Sequence, residues 1–285
     1  MIIKKILKRK NILKDLKIIF TDLDESLLKE NKYYPKVLDN FIKELISKNY
    51  IIVALTSKTY TEVKKLYNKN NIKFSLSSEN GSSFYIPKSK NNNDLTFKKV
   101  INKKAIKSNE IFRRLKILPV RFLSNITFIK DLSLDKQAEI TKLKKNELID
   151  FNNRDFSVSI IWNGSNSLLA LFRKYLIKLN LQATFGGKMI NVSGIHTKLD
   201  ALIYFKKMYL KKFNINNCIT ISIGDSQNDV EILNYTDYSG MVIRKEKSKI
   251  SLIKNYNVFI SKSSAPEGWV ELLTKINKEM ERKNI

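Results

Sequence analysis

Apolar runs and helical repeats alternate over the first ninety residues. Residues 16–20 and 51–55 are mostly apolar and predict two buried strands. A helical pattern follows each run, over 35–46 and around 63–67. Shorter strands are predicted at 74–76 and 84–86. This alternation is typical of a doubly wound, Rossmann-like parallel α/β sheet.

The pattern changes between about residues 88 and 184. Residues 157–162 give the clearest strand signal there. Helical patterns flank it at 106–115, 134–143 and 166–179. We interpret 88–186 as a small inserted α+β domain with its own core, a cap, while 1–87 and 187–285 form the main domain. Gly186 and Gly187 mark the expected return to that domain.

The α/β pattern resumes in the last third of the chain. A helix is predicted over 197–209, followed by a buried strand over 219–223. A further helix is expected to begin at Asp229. Late strands at 241–244 and 258–261 and a closing helix over 266–280 complete the prediction.

Polar residues follow the predicted parallel strands at the points where they end. Asp22 and Asp24 come after the first strand, Thr56 after the second, and Asp225 after the strand over 219–223. Ligands of open α/β sheets bind beyond the carboxyl ends of the strands. The sequence therefore predicts that these side chains share one pocket.

The residue types in this set suit phosphoryl transfer through an aspartate. Asp22, first off its strand, is the expected nucleophile, and an aspartyl ester would divide hydrolysis into two displacements. Asp24 lies on the same side and can act as general acid and then base. Mg²⁺ would offset the repulsion between carboxylates and phosphate, with Asp225 and Asp229 as further ligands, Asp229 directly or through water.

The transferred phosphoryl group also needs donors around its oxygens. Thr56 offers a hydroxyl group, and Lys198, at the start of a helical pattern, offers a positive charge. Backbone N–H groups of Leu23 and Ser57 are further candidates. His196, the only histidine, excludes a multi-histidine metal site, and a position at a helix N-terminus or on the surface is favoured over substrate contact.

The composition raises the question of whether the excess of positive charge has a function. The chain has 285 residues, a formal net charge of +26 and 43% hydrophobic residues. Its lysines are spread along the sequence with many Asn and Ile residues, as an AT-rich genome would produce, so we favour a compositional origin over nucleic-acid binding. A positive field would still attract an anionic substrate.

The sequence gives little indication of a membrane segment or of disulfide bonds. No apolar run approaches the length of a membrane span, and the single cysteine, Cys218, excludes an intrachain disulfide framework. Lys, Ile and Leu alternate over residues 1–17, which favours a lead-in helix over a membrane-surface helix. We expect a cytoplasmic location, with no membrane partner and no specific nucleic-acid partner.

These motifs resemble those of the haloacid-dehalogenase (HAD) superfamily of aspartate-dependent phosphatases, with a cap inserted between the second and third motifs. Within it the sequence is similar to the mannosyl-3-phosphoglycerate phosphatases. The matching segments extend from near residue 16 to near 275; beyond the four motifs they are Thr56-Ser57-Lys58-Thr59 with Glu62-Val63, Ser78-Glu79-Asn80-Gly81, Gly186-Gly187-Lys188 and Pro266-Glu267-Gly268-Trp269.

The resemblance implies a HAD core with a cap of the C2B type. It implies hydrolysis of mannosyl-3-phosphoglycerate, an anionic sugar-glycerate ester, to the compatible solute mannosylglycerate and phosphate. Asp22 and the backbone carbonyl of Asp24 would bind Mg²⁺ with Asp225, supported by Asp229. The implied substrate contacts are Ser57, Lys58, Asn80, Gly81, Lys188 and Asn228.

Two departures from the family pattern concern charge and turn geometry. Glu25 stands where the family usually has glycine, and Lys188 stands where it often has arginine. Alternative substrates are glucosyl-3-phosphoglycerate and sucrose-6-phosphate. A basic nucleic-acid-associated protein on the same fold is the alternative outside enzymes.

Overall fold

Two β-sheets organise the chain in the computed structural model, which describes residues 16–29, 37–70, 72–88, 96–186, 189–244 and 257–283. The larger sheet has eight strands in the order β12-β11-β10-β1-β2-β3-β4-β5. The smaller sheet has four, in the order β6-β7-β9-β8. The expected lead-in helix, Gly187 and Lys188 lie outside the described residues.

Six neighbouring strands of the larger sheet are parallel, and β4 and β5 extend it antiparallel. The strands of this sheet are β1 (Lys17–Thr21), β2 (Tyr50–Leu55), β3 (Ser75–Ser78), β4 (Ser83–Pro87), β5 (Phe97–Ile101), β10 (Ile219–Gly224), β11 (Tyr238–Met241) and β12 (Val258–Ile260). The predicted doubly wound α/β fold is confirmed.

Helices cover both faces of this sheet because its central strands are apolar on both sides. One face buries Ile19 against α1 (Val37–Ser47), α2 (Tyr60–Asn70) and α10 (Glu267–Arg282). The other buries Ile18 and Phe20 against α8 (Lys198–Phe213) and α9 (Val230–Tyr235). This three-layer packing fixes the strand tips that carry the polar residues.

The smaller sheet is antiparallel and carries its helices as a separate layer. Its strands are β6 (Ile126–Phe128), β7 (Ser157–Trp162), β8 (Leu181–Gly186) and β9 (Met189–Gly194). Its helices are α3 (Ser108–Lys116), α4 (Val120–Leu123), α5 (Leu134–Thr141), α6 (Lys145–Asn152) and α7 (Asn166–Lys178). Ile111, Phe172 and Val192 belong to one hydrophobic cluster, while Leu148 and Phe151 of α6 belong to another.

The pairing of two strands differs from the division into domains that the sequence pattern suggested. Strand β5 follows residue 88 in the chain yet pairs with β4 in the larger sheet, and β9 follows residue 187 yet pairs with β7 and β8 in the smaller one. The late strand expected at 241–244 is wrong in position, since β11 ends at Met241. It begins at Tyr238, because residues 238–241 pair with residues 221–224 of β10.

None of the helices in the described ranges is both long enough and apolar enough to cross a membrane.

Candidate active site

Pairing in the parallel sheet brings the predicted carboxylates to one edge. Thr21 of β1 lies level with Ala54 of β2 and with Ile223 of β10. Asp22 therefore follows its strand beside the ends of both neighbours, and its N–H donates to the carbonyl of Ile223 at 2.9 Å. The convergence predicted from the strand ends is present in the structure.

Three carboxylates form a buried cluster at this edge. Ligand oxygens of Asp22, Asp225 and Asp229 all lie within 4.8 Å of one another. The three residues are 6%, 1% and 0% exposed. Carboxylate oxygens are the donors that Mg²⁺ prefers, and a buried set with this much negative charge is a chemically suitable donor set for a divalent ion.

Lys198 supplies a positive charge inside the cluster. Its ammonium group lies 2.9 Å from an oxygen of Asp22 and 2.7 Å from one of Asp229. Burial alone would lower the pKa of Lys198, but the two carboxylates outweigh burial and raise it. The lysine is the first residue of α8, whose N-terminal turn is held by a bond from the Thr197 N–H to Asp200 at 3.0 Å.

The nearby cationic side chains do not fully balance the negative charge of the carboxylates. Burial raises the pKa of Asp22 well above its ordinary value, Lys198 lowers it, and the neighbouring Asp229 and Asp225 raise it further. Burial and Asp229 likewise raise the pKa of Asp225 to about 7 in spite of Arg244. This mutual repulsion is the electrostatic condition under which a bound cation is most strongly favoured.

Asp229 is held by the loop that carries it. One of its oxygens accepts from the N–H groups of Asp225 and Ser226, both at 3.2 Å, and from the Ser226 hydroxyl at 3.0 Å. Gly224 makes this approach possible, because a β-carbon there would come within 2.4 Å of the Asp229 β-carbon. Asn228, a predicted substrate contact, accepts a hydrogen bond from the Ser226 hydroxyl.

Asp24 occupies a more open position than Asp22. Its side chain is 40% exposed and lies 2.7 Å from the ammonium group of Lys58. Burial lowers and Asp24 raises the pKa of Lys58, and the net effect is a raised pKa. An exposed carboxylate beside a buried one is suited to exchanging protons with water while its neighbour stays shielded.

The Thr56 loop is joined to the turn that contains Asn80 and Gly81. Thr56 is buried, its hydroxyl accepts from the Lys58 N–H at 3.2 Å, and its carbonyl accepts from the Asn80 N–H at 2.9 Å. Gly81 has φ +101° and packs against Thr197, so close that a β-carbon would meet its carbonyl oxygen at 2.0 Å. Ser57 is half-buried, with its carbonyl 3.3 Å from Arg154.

Three residues near the site were not predicted to belong to it. Arg244 pairs with Asp225, the Ser26 hydroxyl donates to Asp225 at 3.0 Å, and Glu79 joins the smaller sheet to this region. Arg244 lay in a segment that reads as a strand, so nothing in the sequence marked it. His196 is fully buried beside the Glu79 carbonyl and directly precedes Thr197, the N-cap of α8; of the two expected positions, the helix N-terminus is the one observed, and the surface is not. Lys188 lies outside the described residues.

The tryptophan of the Pro266-Glu267-Gly268-Trp269 segment is hydrogen-bonded to the end of β1. Trp269 of α10 is fully buried, and its indole N–H donates to the Thr21 hydroxyl at 3.0 Å. That hydroxyl donates to the carbonyl of Asp22 at 2.8 Å. The tip of β1 is thereby fixed by a residue almost 250 positions away in the sequence.

The chain combines a doubly wound core, a second antiparallel sheet and an aspartate-lysine cluster at the strand ends. The family model of haloacid dehalogenase-like hydrolases matches residues 19–268. This chain therefore belongs to the haloacid dehalogenase-like hydrolase family.

Two sequence relatives are similar to this chain over most of its length. The chain is 25% identical over 232 residues to mannosyl-3-phosphoglycerate phosphatase of Pyrococcus furiosus, covering 80% of this chain and 91% of the relative. It is 24% identical over 270 residues to glucosyl-3-phosphoglycerate/mannosyl-3-phosphoglycerate phosphatase of Persephonella marina, covering 93% and 98%.

Two solved structures show the same fold. Sucrose-phosphatase from a Synechocystis species, in complex with sucrose and phosphate, matches with a TM-score of 0.63 at 12% identity, over 92% of this chain and 98% of that one. A haloacid dehalogenase-like hydrolase from B. subtilis matches with a TM-score of 0.59 at 15% identity, over 92% and 99%.

Proposed function

We propose that this protein is a Mg²⁺-dependent phosphatase that hydrolyses mannosyl-3-phosphoglycerate to mannosylglycerate and phosphate. The observation that carries the proposal is the contact of Lys198 with both Asp22 and Asp229, within a cluster that also contains Asp225 and has Asp24 beside it. The substrate is proposed from the named relatives.

In the first proposed step, a carboxylate oxygen of Asp22 attacks phosphorus. A phosphorus–oxygen bond forms to Asp22, the ester bond to the sugar-glycerate breaks, and Asp24 gives its proton to the leaving oxygen. In the second step Asp24 takes a proton from water, the water attacks phosphorus, and phosphate leaves with Asp22 restored. The 40% exposure of Asp24 supports its exchange with water.

The remaining roles follow from charge and position. Lys198 and Thr56 would hold the non-bridging oxygens of the phosphoryl group. Asp22, the Asp24 carbonyl, Asp225 and Asp229 would hold Mg²⁺, which when bound neutralises phosphoryl charge. Lys58 and Lys188 would suit the carboxylate of a glycerate, and Ser57, Asn80, Gly81 and Asn228 would line the same space.

We propose a cap as the second domain, from the separate core of the smaller sheet. The sequence pattern suggested residues 88–186. Strand pairing supports bounds placed slightly later, after β5 and after β9. The chain returns to the main domain at residue 187 in the first division and after β9 in the second, and both divisions place α8 and β10, which carry Lys198 and lead to Asp225, in the main domain.

Phosphate release from a panel of esters tests the proposal. The panel holds mannosyl-3-phosphoglycerate, glucosyl-3-phosphoglycerate and sucrose-6-phosphate, each with Mg²⁺, with EDTA, and with Mg²⁺ restored. We expect the mannosyl ester to give the highest kcat/KM, EDTA to abolish turnover and Mg²⁺ to restore it. A mannosyl ester among the poorest substrates would remove the specific assignment.

Glucosyl-3-phosphoglycerate is the second candidate substrate, because the Persephonella marina relative carries both sugar esters in its name. The same panel separates the two. The nucleic-acid alternative is supported by the +26 charge alone; it predicts tight DNA or RNA binding that weakens steeply with salt, together with no turnover of any ester.

A further inference from the structure

The turn over residues 78–81 lies between two segments of the candidate active site. The N–H of Glu79 donates to the Lys58 carbonyl at 2.9 Å, and the N–H of Asn80 donates to the Thr56 carbonyl at 2.9 Å. On its other side, the carbonyl of Glu79 lies 3.1 Å from the imidazole of His196, two residues before Lys198. The backbone of this turn therefore fixes the Thr56 loop and the start of α8 relative to each other.

The side chain of Glu79 contacts a different part of the molecule. One carboxylate oxygen accepts from the N–H of Asp155 at 3.0 Å. The other accepts from the N–H of Phe156 at 3.1 Å and from the hydroxyl of Ser157. These donors are the first residue of β7 and the two residues before it. One residue thus holds the strand-tip loops with its backbone and the inserted unit with its side chain.

This contact is buried and costly to build. Glu79 is 3% exposed, and an uncompensated carboxylate in such a place would cost several kcal/mol. Burial raises the pKa of Glu79, while Arg154 and the three hydrogen bonds lower it. Glu79 also has φ +44°, a backbone conformation that costs a non-glycine residue energy. A residue that served only to form the turn would need neither the buried carboxylate nor the strained backbone of Glu79.

Other contacts between the two units lie nearer the surface. The hydroxyls of Thr59 and Thr61 donate to the Asp150 carbonyl at 2.9 and 3.3 Å, and Lys65 pairs with Asp150 at 2.6 Å. Lys65 is 69% exposed, so this pair is worth little. The bonds from Phe156 and Ser157 to Glu79 are buried, whereas those from Thr59 and Thr61 to Asp150 are only partly buried.

The inserted unit lies at the edge of the site, because its strand β8 is close to residues 227–229. Asp22, Lys58 and Lys198 are all less than 10% exposed, and movement of the unit away from them would widen the entry for a sugar ester. Strand β7 cannot move away from the turn unless the three bonds to the Glu79 carboxylate break. Their strength therefore sets part of the balance between closed and open forms.

We propose that Glu79 is a positioning residue that holds the inserted unit closed over the candidate active site, and that its contacts with residues 155–157 break each time the site opens. The effect on sugar esters rests on the proposed function, because only a large substrate needs the closed form for orientation. A small aryl phosphate should react with little help from the inserted unit.

Glu79→Gln tests this proposal without altering the backbone bonds of the turn. The amide replaces one acceptor with a donor, so a backbone N–H or the Ser157 hydroxyl loses its partner. We expect kcat/KM for mannosyl-3-phosphoglycerate to fall about 10- to 100-fold, the range given by one unsatisfied buried group. Turnover of p-nitrophenyl phosphate should change less than about threefold, since it gains little from closure.

Hydrogen exchange at the Asp155 and Phe156 amides gives a readout that needs no substrate. We expect exchange there to be at least about tenfold faster in Glu79→Gln, with the Asn80 amide unchanged. Equal losses on both substrates together with unchanged exchange at 155 and 156 would overturn the proposal. If the wild-type protein hydrolyses no sugar ester, the proposed function fails, while the exchange rates still decide the role of Glu79.

Ser157→Ala tests the proposal even if the Glu79→Gln protein does not fold, because it removes one donor and leaves the carboxylate in place. It should shift exchange and kcat/KM in the same direction as Glu79→Gln but less. Ser193→Ala is the matched control: Ser193 lies opposite Ser157 in the smaller sheet, and its hydroxyl donates to the Gly194 carbonyl. It should change neither readout, and a Ser157→Ala protein that behaves like this control would contradict the proposal.

Discussion

Charge balance decides the behaviour of the site at the residue scale. Asp22, Asp24, Asp225 and Asp229 are contacted by three cationic side chains, those of Lys58, Lys198 and Arg244. Each pair is partly or wholly shielded from water, so the interactions are stronger than those of surface ion pairs. A phosphoester enters a place where both signs of charge are already fixed, which is the condition for electrostatic stabilisation of a transition state.

Glu25 is the residue at which the sequence departs from its family and the backbone shows a cost. It has φ +54°, a left-handed conformation that glycine adopts freely. Glu25→Gly should raise kcat/KM for an anionic ester by about two- to tenfold, because one negative charge next to Asp24 is removed. The free energy of unfolding should change by less than about 1 kcal/mol, since relief of strain offsets the greater freedom of the unfolded chain.

Asn49→Gly is the control for this prediction. Asn49 also has a left-handed backbone, with φ +65°, but it lies before β2, at the opposite end of that strand from Thr56. Its kcat/KM should match that of the wild-type protein. A lower kcat/KM for Glu25→Gly would mean that the glutamate assists the reaction.

Helices and strands are predicted correctly where the local sequence has one clear hydrophobic pattern. They are missed where pairing with a distant strand determines the structure. Strand β7 lies at the predicted positions 157–162, because its apolar residues are flanked by clear turns. Strand β5, with the sequence Phe-Lys-Lys-Val-Ile, carries two exposed lysines and was not predicted. Its place is set by five pairs with β4, a long-range contact that local periodicity does not contain.

The start of α10 depends on a carboxylate that holds the preceding segment. Glu271 accepts from the N–H groups of Lys262 and Ser263 and pairs with Lys275. The bond from Lys275, with these N–H groups, lowers the pKa of Glu271 to about 2 from an ordinary value of 4.5. A lowered acid pKa means stability that is full above about pH 4.5 and is lost as pH falls towards 2.

Glu271→Gln should therefore lower the free energy of unfolding by about 1 kcal/mol at pH 7 and by progressively less below pH 4.5. Urea unfolding of both proteins at pH 7, 5 and 3 measures the difference. Glu231→Gln, in the first turn of α9, is the control for loss of a charge. A Glu271→Gln deficit that is as large at pH 3 as at pH 7 would contradict this account.

At the scale of the whole molecule, the sequence contained the residues of the candidate active site but not the contacts that surround them. Asp22, Lys198, Asp225 and Asp229 could be found because each follows a strand or opens a helix in an order that implies a shared pocket. Arg244 and the Glu79 carboxylate could not, because their partners lie 19 and 76 to 78 positions away and no local pattern specifies them.

The net charge of +26 should act on encounter and not on chemistry. For the sugar-glycerate ester, kcat/KM should fall severalfold as the Debye length shrinks from about 30 Å to about 3 Å, while kcat stays within about twofold. Initial rates at low and high salt measure this. An aryl phosphate, which lacks the carboxylate, should show a shallower fall, and an unchanged kcat/KM for the sugar ester would exclude steering by the positive surface.

Substitution of Asp22 by asparagine tests the central claim most directly, because the amide keeps the size of the side chain and cannot act as the nucleophile. Phosphate release by Asp22→Asn should fall at least about a thousandfold, with circular dichroism and melting temperature close to those of the wild-type protein. Asp131→Asn, at an exposed position of the inserted unit, should keep full activity. Hydrolysis by a folded Asp22→Asn protein at a rate near that of the wild type would contradict the assignment of Asp22 and the reaction built on it.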